Sequence, residues 1–404
     1  MVAPSGPPQP RPARWEGERV AETTVADVLA ALDARYPPAT AADWDAVGLV
    51  CGDPGDRATA VRFAVDPVLA VVEEAIADGV QLLVTHHPLL LRPVTGVPTT
   101  DPRGLVVSRL LRAGVALVVA HTNADVARPG VSDALAAAVG LVGDLQPLQP
   151  DHAPALDVLA VHVPVRDGAA LRAALAAAGA GAVGEYTEAS FSVDGTGRFR
   201  PGAGARPALG SAGDLAEVAE SRVEVVLPRA RRAAVLAAMR AAHPYEEVAF
   251  DLHELAPSPG RTGLGRVGEL AAPLALRTFA DRVAAALPAT PAGIRWAGDP
   301  DRPVRRVAVS GGSGDSVLPA AAAAGADVVV TADLRHHPVS GFLQPTSPDR
   351  VRPALIEPTH WASEWPWLPV AARLLGEDLR ATGAAPRVDV SALVTDPWNG
   401  TAGR

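Results

Sequence analysis

One phrase, repeated three times, restricts the fold more than anything else in this chain. It reads Gly79-Val80-Gln81-Leu82-Leu83-Val84-Thr85, then Gly114-Val115-Ala116-Leu117-Val118-Val119-Ala120, then Gly325-Ala326-Asp327-Val328-Val329-Val330-Thr331. Each copy sets a helix-ending glycine, then two linking residues, then three apolar residues, the pattern of a helix that stops and feeds a short strand buried on both faces. Strands are expected at Val47–Cys51, Val61–Val65, Leu82–Val84 and Leu117–Val119, with helices at Val68–Ala77, Gly104–Arg112 and Ser132–Val139. Upstream, Thr24 can cap a helix whose apolar residues Val25, Val28, Leu29 and Leu32 share one face. This alternation predicts an α/β fold, a mostly parallel sheet covered by helices.

With 404 residues, the chain has length for two or three domains at roughly 150 residues each. Its single cysteine, Cys51, can form neither an intrachain disulfide nor a cysteine-based zinc cluster, which fits a reducing compartment. Any metal must therefore be held by His, Asp or Glu. A formal charge of -9 argues against a general nucleic-acid binder, because neutralising phosphates needs a basic face. All 36 basic residues are arginine, which excludes a Schiff-base lysine and a phosphate-loop lysine. Residues 1–20 are rich in Pro and Arg without an apolar signal core and read as a disordered tail. No apolar run reaches the roughly 18 residues of a membrane span, so a cytoplasmic protein is expected.

The character changes in the middle. A strand Leu156–Val163, a helix Ala169–Ala178, two extended stretches, a helix Ala230–Ala241 and a strand Val248–Leu255 suggest a βαββαβ unit. The expected organisation is a first α/β half over 21–152, an inserted α+β domain over 153–258 and a second α/β half over 259–404. The second half should hold strands Val304–Ser310, Asp327–Val330 and Ala354–Ile356, and helices Asp315–Ala324 and Ser363–Leu375.

Ligands of open α/β sheets bind beyond the carboxyl ends of the strands, so the residues there carry the functional signal. Val84 is followed by Thr85-His86-His87-Pro88, Val119 by His121 through Asp125, Val330 by Asp333 and His336-His337, and Ile356 by His360 and Glu364. Singly, each reads as a turn or cap. Together they gather imidazoles and carboxylates at one edge of one sheet, the ligand chemistry of Zn, Mn, Fe or Co. His360 and Glu364, four apart, share a helix face, whereas adjacent His86 and His87 can face two different ions. Two ions bridged by carboxylates such as Asp125 and Glu364 would activate water at neutral pH.

Other motifs carry less. Gly311-Gly312-Ser313-Gly314 suits either an anion cradle or a tight turn. Gly263 through Gly268 matches a dinucleotide-binding expression but follows Pro-rich loop sequence, so NAD binding is rejected, with Arg266 left able to meet an anion. His243 and Glu247 are separated by Pro244, which favours a structural role. Trp361, Trp365 and Trp367 read as packing residues, and Cys51 as an inert buried thiol.

The order and spacing of Asp45 through Leu49, Thr85 through Pro88, His121 through Asp125, Gly263 through Gly268, Gly311 through Gly314, Thr331 through Asp333 with His337, and Thr359 through Glu364 resemble the Nif three-like dinuclear-metal hexameric proteins, also called GTP cyclohydrolase 1 type 2 homologs. The resemblance runs from about Thr23 to Trp398. It implies two divalent metal ions per chain held by His86, His87, Asp125, His360 and Glu364, with His121 and His337 close by as proton-shuttling catalytic groups. It also implies two α/β halves, a PII-like or CutA-like insert and a homohexamer. Ala46, Thr359 and Trp361 depart from the family's usual Asn, Gly and Tyr, beside the metals rather than among the ligands. The function expected from it is a metal-dependent hydrolase of a nucleotide-like small molecule. A metal-binding regulatory protein without catalysis is the alternative, and metal storage or delivery a third reading.

Overall fold

The computed structural model describes residues 23–152, 155–257, 259–344 and 352–402, so the expected tail over 1–20 lies outside the described residues. By internal contacts the chain forms two compact units: residues 150–261, and the flanking chain up to Gln149 and from Thr262.

The flanking unit carries two sheets. Gly48–Cys51, Ala116–Val119, Leu82–Thr85, Ala60–Ala64 and Arg387–Val390 lie side by side in that order. The last four are parallel and the first runs against them. The second sheet has the order Arg295–Ala297, Ala354–Glu357, Val328–Ala332, Pro303–Ser313, Pro259–Ala275, Leu141–His152. Its Ala354, Val328 and Pro303 strands are parallel, Arg295–Ala297 runs antiparallel to Ala354–Glu357, and Pro259–Ala275 antiparallel to Pro303–Ser313. Where the sequence suggested one sheet, each half builds its own. The halves also exchange strands, because Leu141–His152 joins the second sheet and Arg387–Val390 returns to the first.

The three-residue apolar phrase is explained by layering. Leu82, Val84, Val328 and Val330 enter one continuous core that includes residues of both sheets. The intervening Leu83 and Val329 face outward into separate clusters, under the helices Pro102–Ala113 and Leu318–Ala323 respectively. Strands covered on both faces need unbroken apolar runs. The helix Val25–Arg35 is closed by the expected cap, with Asp27 N–H donating to Thr24 Oγ1 and Thr24 N–H donating to Asp27 Oδ2 at 2.8 Å. Along Trp367–Ala381, the buried Trp367, Leu368, Ala371, Ala372, Leu375 and Leu379 form the stripe that faces the common core.

Two glycine-rich motifs have different roles from those expected. Gly263 through Gly268 lies inside the strand Pro259–Ala275, and Arg266 is fully buried, donating to Asp133 Oδ1 at 2.9 Å and to the Ala127, Gly263 and Gly265 carbonyls. A guanidinium so completely engaged has no donor left for an anion. Gly311 and Gly312 belong to the strand Pro303–Ser313, where Gly312 N–H donates to Ser363 Oγ at 2.8 Å instead of opening a phosphate cradle.

Residues 150–261 contain an antiparallel sheet in the order Phe191–Phe199, Ala216–Pro228, Leu156–Pro164, Phe250–Glu254. The helices Gly168–Ala177 and Arg232–Ala242 complete a βαββαβ chain order. Leu159, Val161 and Val163 alternate inward and meet Leu171, Leu175, Val223, Val225, Val235 and Met239. On the strand Leu156–Pro164, the buried Asp157 carboxylate accepts bonds from Arg232 Nε at 2.7 Å and Arg229 Nε at 3.1 Å. Arg232 first, then Arg229, hold its pKa below the usual carboxylate value.

Candidate metal centre

His86 and His87 follow the strand Leu82–Thr85, His121 follows Ala116–Val119, and Asp66 stands two residues beyond Ala60–Ala64. From the second sheet, Asp333 follows Val328–Ala332, and the short helix His360–Glu364 begins three residues after Ala354–Glu357. The centre therefore forms where the carboxyl ends of two sheets converge, not along the edge of one. Thr359 caps the short helix by accepting from Ala362 N–H, which sets His360 and Glu364 one turn apart on one face.

Each imidazole is oriented through Nδ1. His86 Nδ1 lies 2.9 Å from the Ala120 carbonyl, His87 Nδ1 2.6 Å from Asp66 Oδ1, His121 Nδ1 2.8 Å from Asp45 Oδ1, and His360 Nδ1 2.7 Å from Asp333 Oδ2. An oxygen acceptor at Nδ1 fixes the proton there and leaves Nε2 as the ligand atom, the arrangement that accompanies imidazole ligands in metal sites. Asp333 reaches His360 from a backbone φ of 53°, a left-handed conformation costly for a residue with a Cβ. Asp45 is further bonded by the Thr122 N–H and hydroxyl. Burial opposes its charge, but the bonds from Thr122 and His121 hold its pKa below the usual value.

The Nε2 atoms converge. His87 Nε2 is 3.2 Å from His360 Nε2 and 3.0 Å from Glu364 Oε2, and His360 Nε2 is 2.9 Å from Glu364 Oε1. Two donors each about 2.1 Å from one ion, at tetrahedral to octahedral angles, stand about 3.0–3.4 Å apart, so these spacings suit a shared cation. His86 Nε2 faces Glu364 Oε1 at 3.5 Å and Asp125 Oδ1 at 3.6 Å. Donor atoms fall into two groups, His86 with His87 and His121, and His87 with His360 and Glu364. Among the described residues, His86 Nε2 and Glu364 Oε2 are buried polar atoms without a hydrogen-bond partner. Leaving such atoms unpaired costs about 1–3 kcal/mol each, more when charged, and a divalent cation would satisfy both.

The electrostatics are those of donors waiting for positive charge. Burial opposes protonation of His87 and His360, yet Glu364 and Asp66 raise the first to about 10, and Asp333 and Glu364 raise the second to about 11. His86 is likewise raised, against its own burial, by Glu364 and Asp125. Burial lifts Asp125 to about 6, whereas Glu364, although buried, is held well below the usual carboxylate value by His86 and His87. Burial and the neighbouring His86 keep His121 low, so it offers a neutral ring. Gly312, at φ 65°, abuts the site: an added Cβ would lie 2.4 Å from Glu364 Oε1 and 3.1 Å from His360 Nε2. Close approach to the donors, rather than phosphate binding, requires glycine there.

Of the residues singled out in the sequence, His86, His87, His121, Asp125, His360 and Glu364 come together. His337 does not. It stands exposed in the helix His336–Leu343, its ring 5.2 Å from that of His336, and belongs to neither donor group. The chain has already turned away into that helix, and Asp333 occupies the approach to the cluster instead. The proton-shuttling role expected of His337 thus gains nothing from the geometry. Trp367 is fully buried, donates to Tyr36 Oη at 3.2 Å and packs its ring 5.4 Å from that of His86. Cys51 is half-buried, and burial raises its thiol pKa. Sequence reasoning missed Asp66, although it follows a strand end as the chosen residues do, and gave Asp45 no role.

The family model for Duf34/NIF3 (NGG1p interacting factor 3) matches residues 23–397. A Mycobacterium tuberculosis protein named GTP cyclohydrolase 1 type 2 homolog is 52% identical over 377 residues, covering 93% of this chain and 96% of that protein. A Bacillus subtilis protein of the same name is 40% identical over 301 residues, covering 74% and 80%. Among solved structures, a Bacillus cereus protein related to NIF3 is 33% identical with a TM-score of 0.73, covering 94% of this chain and 99% of its own.

Proposed function

The chain belongs to the Duf34/NIF3 family, and from that premise we propose that it is a dinuclear metal-dependent hydrolase acting on a nucleotide-like small molecule. The observation that carries this reading is the convergence of Nε2 atoms whose Nδ1 partners are already engaged, beside a buried Glu364 with an unpaired oxygen. His87, His360 and Glu364 would hold one ion. His86, His121 and Asp125 would hold the other, with Glu364 Oε1 3.5 Å from His86 Nε2. Such ions supply Lewis acidity and a water acidified toward neutral pH.

The chain's own residues supply orientation. Asp45, Asp66 and Asp333 fix the rings, and Asp125 Oδ1, 3.6 Å from His86 Nε2, completes the second donor set. His121, which the sequence suggested as a proton shuttle, fits better as a ligand, since its Nδ1 is committed to Asp45 and its Nε2 faces the cluster. Metal-free and Mn- or Zn-loaded protein should be assayed against GTP and a panel of phosphoesters. Metal-dependent turnover that Asp125→Asn abolishes is expected. A fully loaded protein that turns over none of them would contradict hydrolysis and favour metal-dependent regulation. A homohexamer in the cytoplasm, proposed with the function, is checked by light scattering and by fractionation.

A further inference from the structure

A cavity of about 660 Å³ opens directly onto His87 and His360, large enough for a ring compound of nucleoside size. Its lining carries Asp66, Asp333, Glu357 and Asp396 but only one arginine, Arg295. That arginine is paired with Glu357: its Nε and Nη2 donate to the two Glu357 oxygens at 2.7 and 2.9 Å. Among the described residues lining the cavity, the one arginine therefore has its charge balanced by Glu357, and the other charged groups there are carboxylates and histidines. Trp398, at the mouth, is 66% exposed, with its backbone N–H tied to Asp396 Oδ1 at 3.0 Å. An indole presented to a cavity, its backbone anchored, is a stacking platform for a planar ring.

Resting on the metal centre proposed above, we infer that the compound recognised here is a planar ring system with at most one anionic group, its ring on Trp398 and that group at the cations, and not a nucleoside triphosphate. Two divalent cations bring four positive charges, and with Glu357 paired to Arg295 the remaining carboxylates Asp66, Asp125, Asp333, Glu364 and Asp396 still bring five negative ones. A triphosphate, carrying about four negative charges, would place those beyond the metals against carboxylates, and like charges brought together discriminate strongly. A single phosphate or carboxylate faces no such obstacle, because the ions take it directly.

The test uses the full-length protein loaded with Mn, with metal content measured on the same sample, and equilibrium dialysis against guanosine monophosphate and GTP as probes. The expected result is that the monophosphate binds at least as tightly as the triphosphate. Trp398→Ala should weaken monophosphate binding about tenfold or more, the size of a lost stacking contact, while Trp398→Phe retains most of it. GTP binding tenfold tighter than the monophosphate, loss of neither probe in Trp398→Ala, or binding of neither probe by loaded protein each overturns the inference and leaves the metal centre standing. A chain that takes up no metal overturns the centre itself and this inference with it.

Discussion

Among the described residues, two clusters of histidines and carboxylates invite comparison, and one of them has the geometry of a ligand set. In the flanking unit, His86, His87, His121 and His360 each have Nδ1 engaged and Nε2 aimed at Glu364 or at one another. In the unit of residues 150–261, His243 Nε2 is 2.8 Å from the His162 carbonyl and its Nδ1 accepts from Tyr245 N–H at 3.1 Å, while Tyr245 Oη donates to Glu220 at 2.9 Å. Both clusters hold the same residue types. What separates them is whether a donor atom remains after the protein has satisfied its own hydrogen bonds: His243 has none to give, whereas His86 Nε2 and Glu364 Oε2 are buried without a hydrogen bond.

That contrast can be broken most forcefully at Glu364. Glu364→Ala removes the carboxylate that both donor groups approach and should abolish tight binding of both ions, while His243→Ala should leave metal content unchanged. A smaller effect is expected from the residues that aim the rings: Asp333→Asn should weaken metal binding about 10–100-fold, the usual cost of removing a ligand's orienting carboxylate. Competition dialysis of the variants measures both. Protons compete for the same atoms. Because His87 and His360 titrate near 10 and 11 in the metal-free chain, loading must expel their protons, so affinity should rise with pH by roughly tenfold per unit for each proton displaced between about pH 6 and 8. Calorimetry in buffers of different ionisation enthalpy counts those protons, and affinity independent of pH would contradict the assignment.

The second cluster should respond in stability alone. His243→Ala leaves the His162 carbonyl and the Tyr245 N–H short of a partner and should cost about 1–3 kcal/mol in denaturant unfolding. In the same unit, Asp157 is held below its unfolded pKa by Arg232 and Arg229. Its stabilising contribution is therefore complete above the unfolded value near 4 and is lost as pH falls through the lower folded value. Asp157→Asn should flatten acid unfolding of that unit without altering metal binding.

Much of this contrast was written where strands end. The repeated Gly-to-strand phrase located Leu82–Thr85, Ala116–Val119 and Val328–Ala332 because strands covered on both faces need continuous apolar runs, and the polar residues just beyond them gave His86, His87, His121 and Asp125. The i,i+4 pair His360 and Glu364 was legible for the same local reason. Non-local facts were not. Pro259–Ala275, with its Pro and Gly, has the composition of a loop, and only pairing with Pro303–Ser313 makes it a strand. Nor does anything local show that Arg266 would be claimed by Asp133, 133 residues away, or that Arg387–Val390 would return to the first sheet. Asp45 and Asp66 look like turn residues until His121 and His87 are placed against them. His337 misled because it follows the same strand as Asp333, but it stands five residues beyond Ala332 rather than one, inside a helix begun at His336 that leaves it exposed.

The central claim is that the unsatisfied donors around Glu364 hold two cations. Elemental analysis of protein purified without chelators, on wild type, His86→Ala, Glu364→Ala and His243→Ala in parallel, tests it most directly. The account predicts close to two ions per chain in wild type and His243→Ala, about one or fewer in His86→Ala and almost none in Glu364→Ala. Equal metal content in all four, or none in wild type after incubation with Mn and Zn, would contradict it.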